Sequence, residues 1–401
     1  MKNEIPILFK NKEECCACGA CTNVCPKEAI VMKEDEYGFF YPVIDEKKCV
    51  RCGKCKKICS FQNHTEKNKP LETYAAVSKN KKLLMKSASG GVFASIAEKI
   101  IKNQGIVVGA ELKKDFSVHH TIIDQCSEIY KLQGSKYAQS SIGKTFSDVE
   151  KYLTDGREVL YSGTPCQIAG LLGYLGKEYN NLLTLDIVCH GVPGFQMLQN
   201  YIKILQKNGG EITNFVFRDK TIGWGINGSA KKNGKKIKIW QSSSSYLYYF
   251  SKGWIYRDSC YKCPYASSHR PADITIGDFW GIEKQHPEYL GSKKWNEQQG
   301  VSLVIANTQK GSRFLSSVND ILDMKKSSFK KVAAANAQLN YPSVPGKRKE
   351  ILAEYRLGGW EALETRFRKN IGWRYYSSRI KSFIPANIKR LLKGIKLGEY
   401  R

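Results

Sequence analysis

Nine of the fourteen cysteines in this 401-residue chain lie between Cys15 and Cys59, and eight of them form two superimposable runs. Cys15, Cys18, Cys21 and Cys25 are each followed, thirty-four residues later, by Cys49, Cys52, Cys55 and Cys59. Two copies of CxxCxxCxxxC are the ligand pattern of two [4Fe–4S] clusters: three thiolates of a run hold one cluster and the fourth crosses to the other. Cys15, Cys18, Cys21 and Cys59 are therefore assigned to one cluster, and Cys49, Cys52, Cys55 and Cys25 to the other. Pro26 gives the first run its usual ending, while Ser60 stands at the equivalent place in the second. Cys16 aligns with Val50 and is not expected to be a ligand.

Two other uses of dense cysteine fit less well. Structural zinc takes four ligands in paired CxxC units, not two four-cysteine runs. Disulfide frameworks belong to small secreted domains, and the opening MKNEIPILFKNKEE has only a short apolar patch and no cleavage-like site. No apolar run approaches the eighteen or more residues of a membrane span. Reduced thiolates without an export signal point to the cytoplasm.

The chain is expected to divide into four parts. Residues 1–60 form an α+β, ferredoxin-like two-cluster domain. Residues 61–72 are a polar linker without periodicity. Residues 73–340 alternate apolar strand patterns (YAAVS, IVVGAEL, REVLYSG, NLLTLDIVCHG) with helical ones, which predicts a larger three-layer α/β domain. Residues 341–401 read as a helical, basic C-terminal region. The formal charge is +27. Each oxidised cluster with its thiolates contributes about −2, so a positive excess remains that suits acidic partners. No recognised nucleic-acid-binding motif accompanies it, so nucleic acid is not the expected partner.

A second cysteine set lies in the α/β region. Cys166 (SGTPCQ) follows a strand and opens a helix, where free backbone N–H groups favour a thiolate. Cys189 (DIVCHG) ends the next strand, so both belong on the carboxyl edge of a parallel sheet, where such folds place ligands. A loop carrying Cys260 and Cys263 (SCYKCPYA) can close a four-thiolate site. The alternative is that Cys166 and Cys189 are small buried residues and that the CxxC acts alone or not at all.

Six separated motifs carry a family likeness: KSASGGVF (86–93), GSKYAQS (134–140), SGTPCQIAGL (162–171), DIVCHGVP (186–193), CYKCPYA (260–266) and RPADITIGDFWG (270–281). In this order, behind a two-cluster domain, they resemble the coenzyme F-420 hydrogenase/dehydrogenase beta-subunit family over roughly residues 10–310. The resemblance implies a flavoprotein, with FAD in the α/β domain and a third [4Fe–4S] cluster near it on Cys166, Cys189, Cys260 and Cys263. Cys126 lies outside every motif and is expected to be structural. Members of the family reduce or oxidise a deazaflavin, resemble reductases of chlorophyll precursors, or are encoded with surface-polysaccharide genes. The redox module therefore transfers to this chain better than any substrate does.

Within that resemblance, Ser87, Ser89, Gly90 and Gly91 precede a helix and can form an anion cradle for the FAD pyrophosphate or a phosphorylated substrate; the alternative is an ordinary cap with a glycine turn. Ser135, Lys136 and Tyr137 offer a hydroxyl, a cation and a ring to a flavin or its phosphates. His190 beside Cys189 can relay a proton, or is an imidazole bonded to backbone at a strand end. Lys136 and His190 are the catalytic candidates; Asp273 and Asp278 are expected to hold loop backbone. The stretch AQSSIGKT (138–145), with LLTLD (182–186), imitates a nucleotide-hydrolysing phosphate loop. It lacks the preceding buried strand and has Ala138 where that loop needs glycine.

Residues 366–401 contain eleven Lys/Arg and one Glu. SRIKSFIPANIKRLLKGIKL alternates basic and apolar residues behind Trp373, Tyr375 and Tyr376, as an interfacial helix does. It predicts a peripheral place on an anionic inner membrane face, or else a docking arm for an acidic redox partner. The sequence thus reads as an iron–sulfur flavoprotein oxidoreductase that exchanges electrons with a partner protein or small-molecule carrier. A non-catalytic electron relay or scaffold holding the ferredoxin clusters alone is the alternative.

Overall fold

The computed structural model describes residues 4–63, 67–207, 209–291 and 294–372. In chain order its strands are β1 (Ile30–Glu34), β2 (Phe40–Ile44), β3 (Glu72–Ser78), β4 (Ile106–Leu112), β5 (Val118–Ile123), β6 (Ser140–Ser141) and β7 (Val159–Gly163). They continue with β8 (Leu182–Ile187), β9 (Ile212–Val216), β10 (Gly228–Lys232), β11 (Lys235–Ile239), β12 (Ile274–Asp278), β13 (Ser302–Ala306) and β14 (Leu322–Lys326).

The N-terminal segment repeats in its backbone as well as in its cysteines. Ala17 and Arg51, thirty-four residues apart, both have positive φ (53° and 54°), and so do Gly19 and Gly53 (78° and 71°). Each glycine caps a short helix, Ala20–Val24 and Lys54–Lys57. Left-handed residues beside helical ones turn successive backbone N–H groups into a concave nest, a recurrent anion and iron–sulfur cradle. Between the two loops, β1 and β2 pair antiparallel, with Val31 opposite Val43.

The larger region is built on a nine-stranded sheet of order β14-β3-β13-β12-β8-β7-β4-β5-β6. β12, β8, β7 and β4 are mutually parallel neighbours. β13 is antiparallel to β12 and to β3, and β14 is antiparallel to β3. An all-parallel reading of the alternation therefore misses one half of the sheet. Period-two side-chain direction splits each central strand between two cores. Val107, Leu160 and Leu183 pack with the helix Val92–Lys102 on one face. Ile106, Val108, Val159, Tyr161 and Leu182 pack with the helices Thr145–Thr154 and Pro165–Leu175 on the other.

The cysteine-rich segment joins that second face, since Cys16, Cys18, Ala20 and Phe61 belong to the same core. Contact is close because the helix Pro165–Leu175 offers two glycines there. A Cβ on Gly170 would come within 2.8 Å of the Cys18 sulfur, and one on Gly173 would run into Ser60. The buried Ser60 hydroxyl donates to the Ala169 carbonyl at 2.5 Å.

A third, aromatic core gathers β9–β11 (a separate antiparallel sheet), the helices Phe195–Gln206 and Ser245–Ser251, and the helical stretch Arg348–Ile371. That stretch breaks at Gly358 and Gly359 and buries Ile351 and Tyr355 before the break, Trp360 and Phe367 after it. The basic, amphipathic segment beyond residue 372 lies outside the described residues. Among the described residues no helix is long and apolar enough to cross a membrane.

Candidate electron-transfer site

The carboxyl ends of β3, β4, β7, β8 and β12 share one edge of the sheet, and the sequence-predicted residues collect along it. Cys166 is the second residue of the helix Pro165–Leu175, whose start is fixed by a proline and a capping box between Thr164 and Gln167. Cys189 follows β8 by two residues, and Cys260 and Cys263 sit on and just after the 3₁₀ turn Asp258–Lys262. All four thiols line one cavity, with Cys16, His190, Arg257, Arg270 and Tyr265.

A second cavity is lined by Cys15, Cys18, Cys21 and Cys59, the four assigned to one cluster by the crossing pattern, together with Cys16 and Cys55. Of the other set, Cys55 faces Cys52 and Cys25. Cys52 is solvent-exposed, while Cys25 and Cys49 are half-buried. Cys126 is exposed and lines neither cavity. Among the described residues no three His, Cys, Asp or Glu side chains converge on one point as ligands of a single metal ion must. The thiols surround spaces instead.

Burial and mutual repulsion push the thiols up: Cys15 and Cys263 to about 11, Cys260 to about 12, Cys189 and Cys21 well above the ordinary value. Cys18 and Cys166 are the exceptions: a hydrogen bond from Cys16 lowers Cys18, and Cys166 is lowered as well. Cys166 accepts a hydrogen bond from Cys16, against the cost of burial, and lies 3.2 Å from the Thr164 hydroxyl, which brings it to about 7. Thiols of this kind lose their protons when a metal takes the proton's place.

Two buried arginines line the cavity of Cys166, Cys189, Cys260 and Cys263. Arg257 donates to the Cys15 carbonyl at 3.1 Å, to Gln139 Oε1 at 2.9 Å and to the Phe40 carbonyl at 3.0 Å, and lies 4.4 Å from the Tyr41 ring. These partners are all uncharged, and among the described residues Arg257 forms no salt bridge with a carboxylate. Its electrostatic partners are Cys15, Tyr41, Cys260 and Cys16. A buried charge must be compensated, and thiolates on both sides can do so. Arg270 pairs with Asp186 at 2.9 Å and also donates to the Tyr265 and Ile187 carbonyls. Asp186 is wholly buried, and its second oxygen has no hydrogen-bond partner.

Next to the thiol cavity lies a cationic, aromatic cluster. Arg218 pairs with Asp278 and lies 5.2 Å from Trp280, which stacks on Trp224 at 4.8 Å. Trp224 donates to Asp278 at 2.8 Å. Buried Lys220 donates to the Leu84 and Ser89 carbonyls, and Lys136 to those of Lys131 and Gln133. Burial lowers both ammonium groups to about 7. Arg218 Nη2 is buried without an acceptor of good geometry, although the Tyr137 hydroxyl faces the guanidinium. Two ammonium groups bonded only to carbonyls, and an ion-paired guanidinium with one donor left over, fit an anionic group such as a pyrophosphate.

The other sequence candidates fall around this cluster. The Ser89 hydroxyl donates to the Val301 carbonyl and the Gly90 amide to Ser302 Oγ, so both are used in joining the turn to β13. Gly91 caps the helix Val92–Lys102 in a left-handed conformation. Tyr137 stacks on Phe250 at 4.2 Å, and its neighbour Ser135 bonds the Tyr137 hydroxyl. His190 stands on the rim between the thiol cavity and the cation cluster. The protein packed around it lowers its pKa, with Asp278 opposing and Arg218 reinforcing the shift. Asp273 accepts from Thr184 and Thr308, and so ties β12 to β8 and to the helix Gln309–Ser316. Arg218 and Lys220 had no signal in the sequence, and Arg257 had only its place three residues before Cys260.

A mixed α/β sheet carrying thiol-lined cavities at its carboxyl edge, fused to a double four-cysteine segment, defines an iron–sulfur electron-transfer oxidoreductase. Residues 14–63 match a 4Fe-4S dicluster domain, and residues 156–331 match the C terminus of the coenzyme F420 hydrogenase/dehydrogenase beta subunit. Residues 156–331 thus carry the C-terminal domain of that beta-subunit family. It is also similar to a chain of the F420-reducing [NiFe] hydrogenase complex from Methanosarcina barkeri, solved in a xenon-derivatised form. The two share 18% identity over 73% of this chain and 94% of that one, with a TM-score of 0.43. No curated protein matches.

Proposed function

We propose that the chain is an iron–sulfur flavoprotein oxidoreductase, passing electrons between ferredoxin-type [4Fe–4S] clusters and FAD, and on to a deazaflavin-like or polysaccharide-pathway acceptor. The observation that carries this reading is the cavity ringed by Cys166, Cys189, Cys260 and Cys263, which shares Cys16 with the cavity of Cys15, Cys18, Cys21 and Cys59. Two thiol-lined spaces with one wall in common suit a relay of closely spaced centres. When bound, the clusters supply one-electron storage and the flavin exchanges single electrons for pairs.

The chain's own residues do the rest. The double run of the N-terminal domain holds two clusters, and the second cysteine set holds a third. Arg257 balances the thiolate charge between them. Arg218, Lys220 and Lys136 hold the anionic part of the flavin, near Ser89, Gly90, Gly91, Ser135 and Tyr137. His190, on the rim between the two sites, is placed to hold or move a proton at its imidazole, and Lys136 at its ammonium. A partner protein or soluble carrier exchanges electrons with the N-terminal domain.

Metal and flavin stoichiometry on anaerobically purified protein tests the reading. About twelve irons and one FAD are expected, falling to about eight irons in a Cys260→Ser/Cys263→Ser variant. Eight irons and no flavin in both proteins would overturn it and leave the electron-relay alternative.

A further inference from the structure

Among the eight cysteines of the double run, Cys52 alone is solvent-exposed. Its set, Cys25, Cys49, Cys52 and Cys55, is therefore the one that reaches the surface. The Cys15 set faces inward, toward Cys16 and Cys166. Electrons that cross the surface do so most directly at Cys52.

The surface around that thiol has a distinct character. Lys47, Lys48, Arg51, Lys54, Lys56 and Lys57 are all exposed within five residues of Cys52. Only Asp45 and Glu46 oppose them in this segment, and Lys48 lies 3.9 Å from Asp45. Val50, between two of the cysteines, is 55% exposed. An apolar side chain beside a redox-active edge, rimmed by one sign of charge, forms a surface for brief, electrostatically steered contact. Transient redox encounters bury little area and depend on such steering.

We infer that the face formed by Lys47–Lys57 around Cys52 is the docking surface for an acidic one-electron carrier protein. On contact one electron passes between the carrier's reduced centre and the cluster held by Cys25, Cys49, Cys52 and Cys55. The carrier is oxidised by one electron, the cluster is reduced by one, and no proton or group is transferred. The carboxylates of the carrier meet the lysine rim, and Val50 excludes water from the centre. The inference rests on the cluster assignment made above. It goes further in naming the face and the charge of the partner.

The test is stopped-flow reduction of the full-length holoprotein by a reduced acidic [2Fe–2S] ferredoxin. Wild type is compared with Lys54→Gln/Lys56→Gln/Lys57→Gln and, separately, with Lys47→Gln/Lys48→Gln. Iron content and bleaching by dithionite are checked first: a wild type that holds no bleachable cluster defeats the cluster assignment, whatever the carrier does. With clusters intact, the second-order rate at low ionic strength should fall about tenfold or more in the triple variant, and less in the double one. The difference should shrink as salt screens the rim, while dithionite reduction stays unchanged. Equal rates and equal salt dependence in all three proteins would overturn the inference. The same holds if the variants lose affinity for phosphatidylserine vesicles or duplex DNA while keeping the wild-type rate with the carrier.

Discussion

The thiol of Cys16 lies between those of Cys18 and Cys166 and makes side-chain hydrogen bonds with both. One comes from its own cysteine run and the other from the start of a helix in the α/β region. Cys16 is thereby a shared wall of two thiol-lined cavities.

Removing it should leave the metal and slow the traffic. Cys16→Ala is expected to keep wild-type iron and flavin content while the third centre and flavin are reduced several-fold more slowly. Iron analysis beside stopped-flow reduction checks this. A loss of about four irons would instead make Cys16 a ligand.

Arg257 is a buried cation whose electrostatic partners are the thiols of Cys15, Cys260 and Cys16 and the Tyr41 hydroxyl. Losing it disfavours the reduced, more negative state of a nearby cluster, so reduction potentials should drop in Arg257→Met and much less in Arg257→Lys. A unit charge about 8 Å away at an effective dielectric near 20 is worth ~2 kcal/mol, a shift on the order of 50–100 mV for one electron. Redox titration followed by electron paramagnetic resonance measures it. Unchanged potentials would reduce Arg257 to a packing role.

The pair Asp186–Arg270 joins β8 to the wall of the cavity ringed by Cys166, Cys189, Cys260 and Cys263. Arg270→Met leaves a buried carboxylate without its cation, which costs about 3–5 kcal/mol. Asp186→Asn added to that variant should recover most of the loss. Denaturant unfolding at matched iron content reads both changes.

His120 is packed between Ser140 and the Ser162 carbonyl, and burial lowers its pKa to about 4. An unfolded imidazole titrates near ~6.5, so between about pH 6.5 and 4 the unfolded chain binds a proton that the native protein does not. Stability should therefore be level above this window and fall through it on acidification, by about 3 kcal/mol at pH ~4. His120→Gln should remove that share of the slope, as thermal unfolding across the window would show.

The parts legible in the sequence were those whose chemistry is local. The cysteine runs Cys15–Cys25 and Cys49–Cys59, which lie in the match to a 4Fe-4S dicluster domain, are written in short stretches of chain, and the helix at Cys166 announces itself through Thr164, Pro165 and Gln167. The buried strands β7 and β8 likewise stand out as apolar runs. What stayed hidden depends on distant pairing. β3, β13 and β14 are antiparallel neighbours brought together from both sides of the domain, and strand patterns carry no mark of partner or direction. Arg257 and Lys220 look like any of the 64 basic residues until burial distinguishes them. Cys16, read as the odd residue of its repeat, acquires its place only through contact with Cys166.

Gly170 and Gly173 lie one turn apart on the helix that carries Cys166, under Cys18 and Ser60. In the proposed relay, two missing methyl groups thus set the thickness of the insulation between one redox compartment and the next. Tunnelling falls off exponentially with the gap, so a single added carbon at Gly170 acts as a resistor in series. It would throttle the current while leaving every ligand, charge and hydrogen-bond donor of the circuit chemically intact.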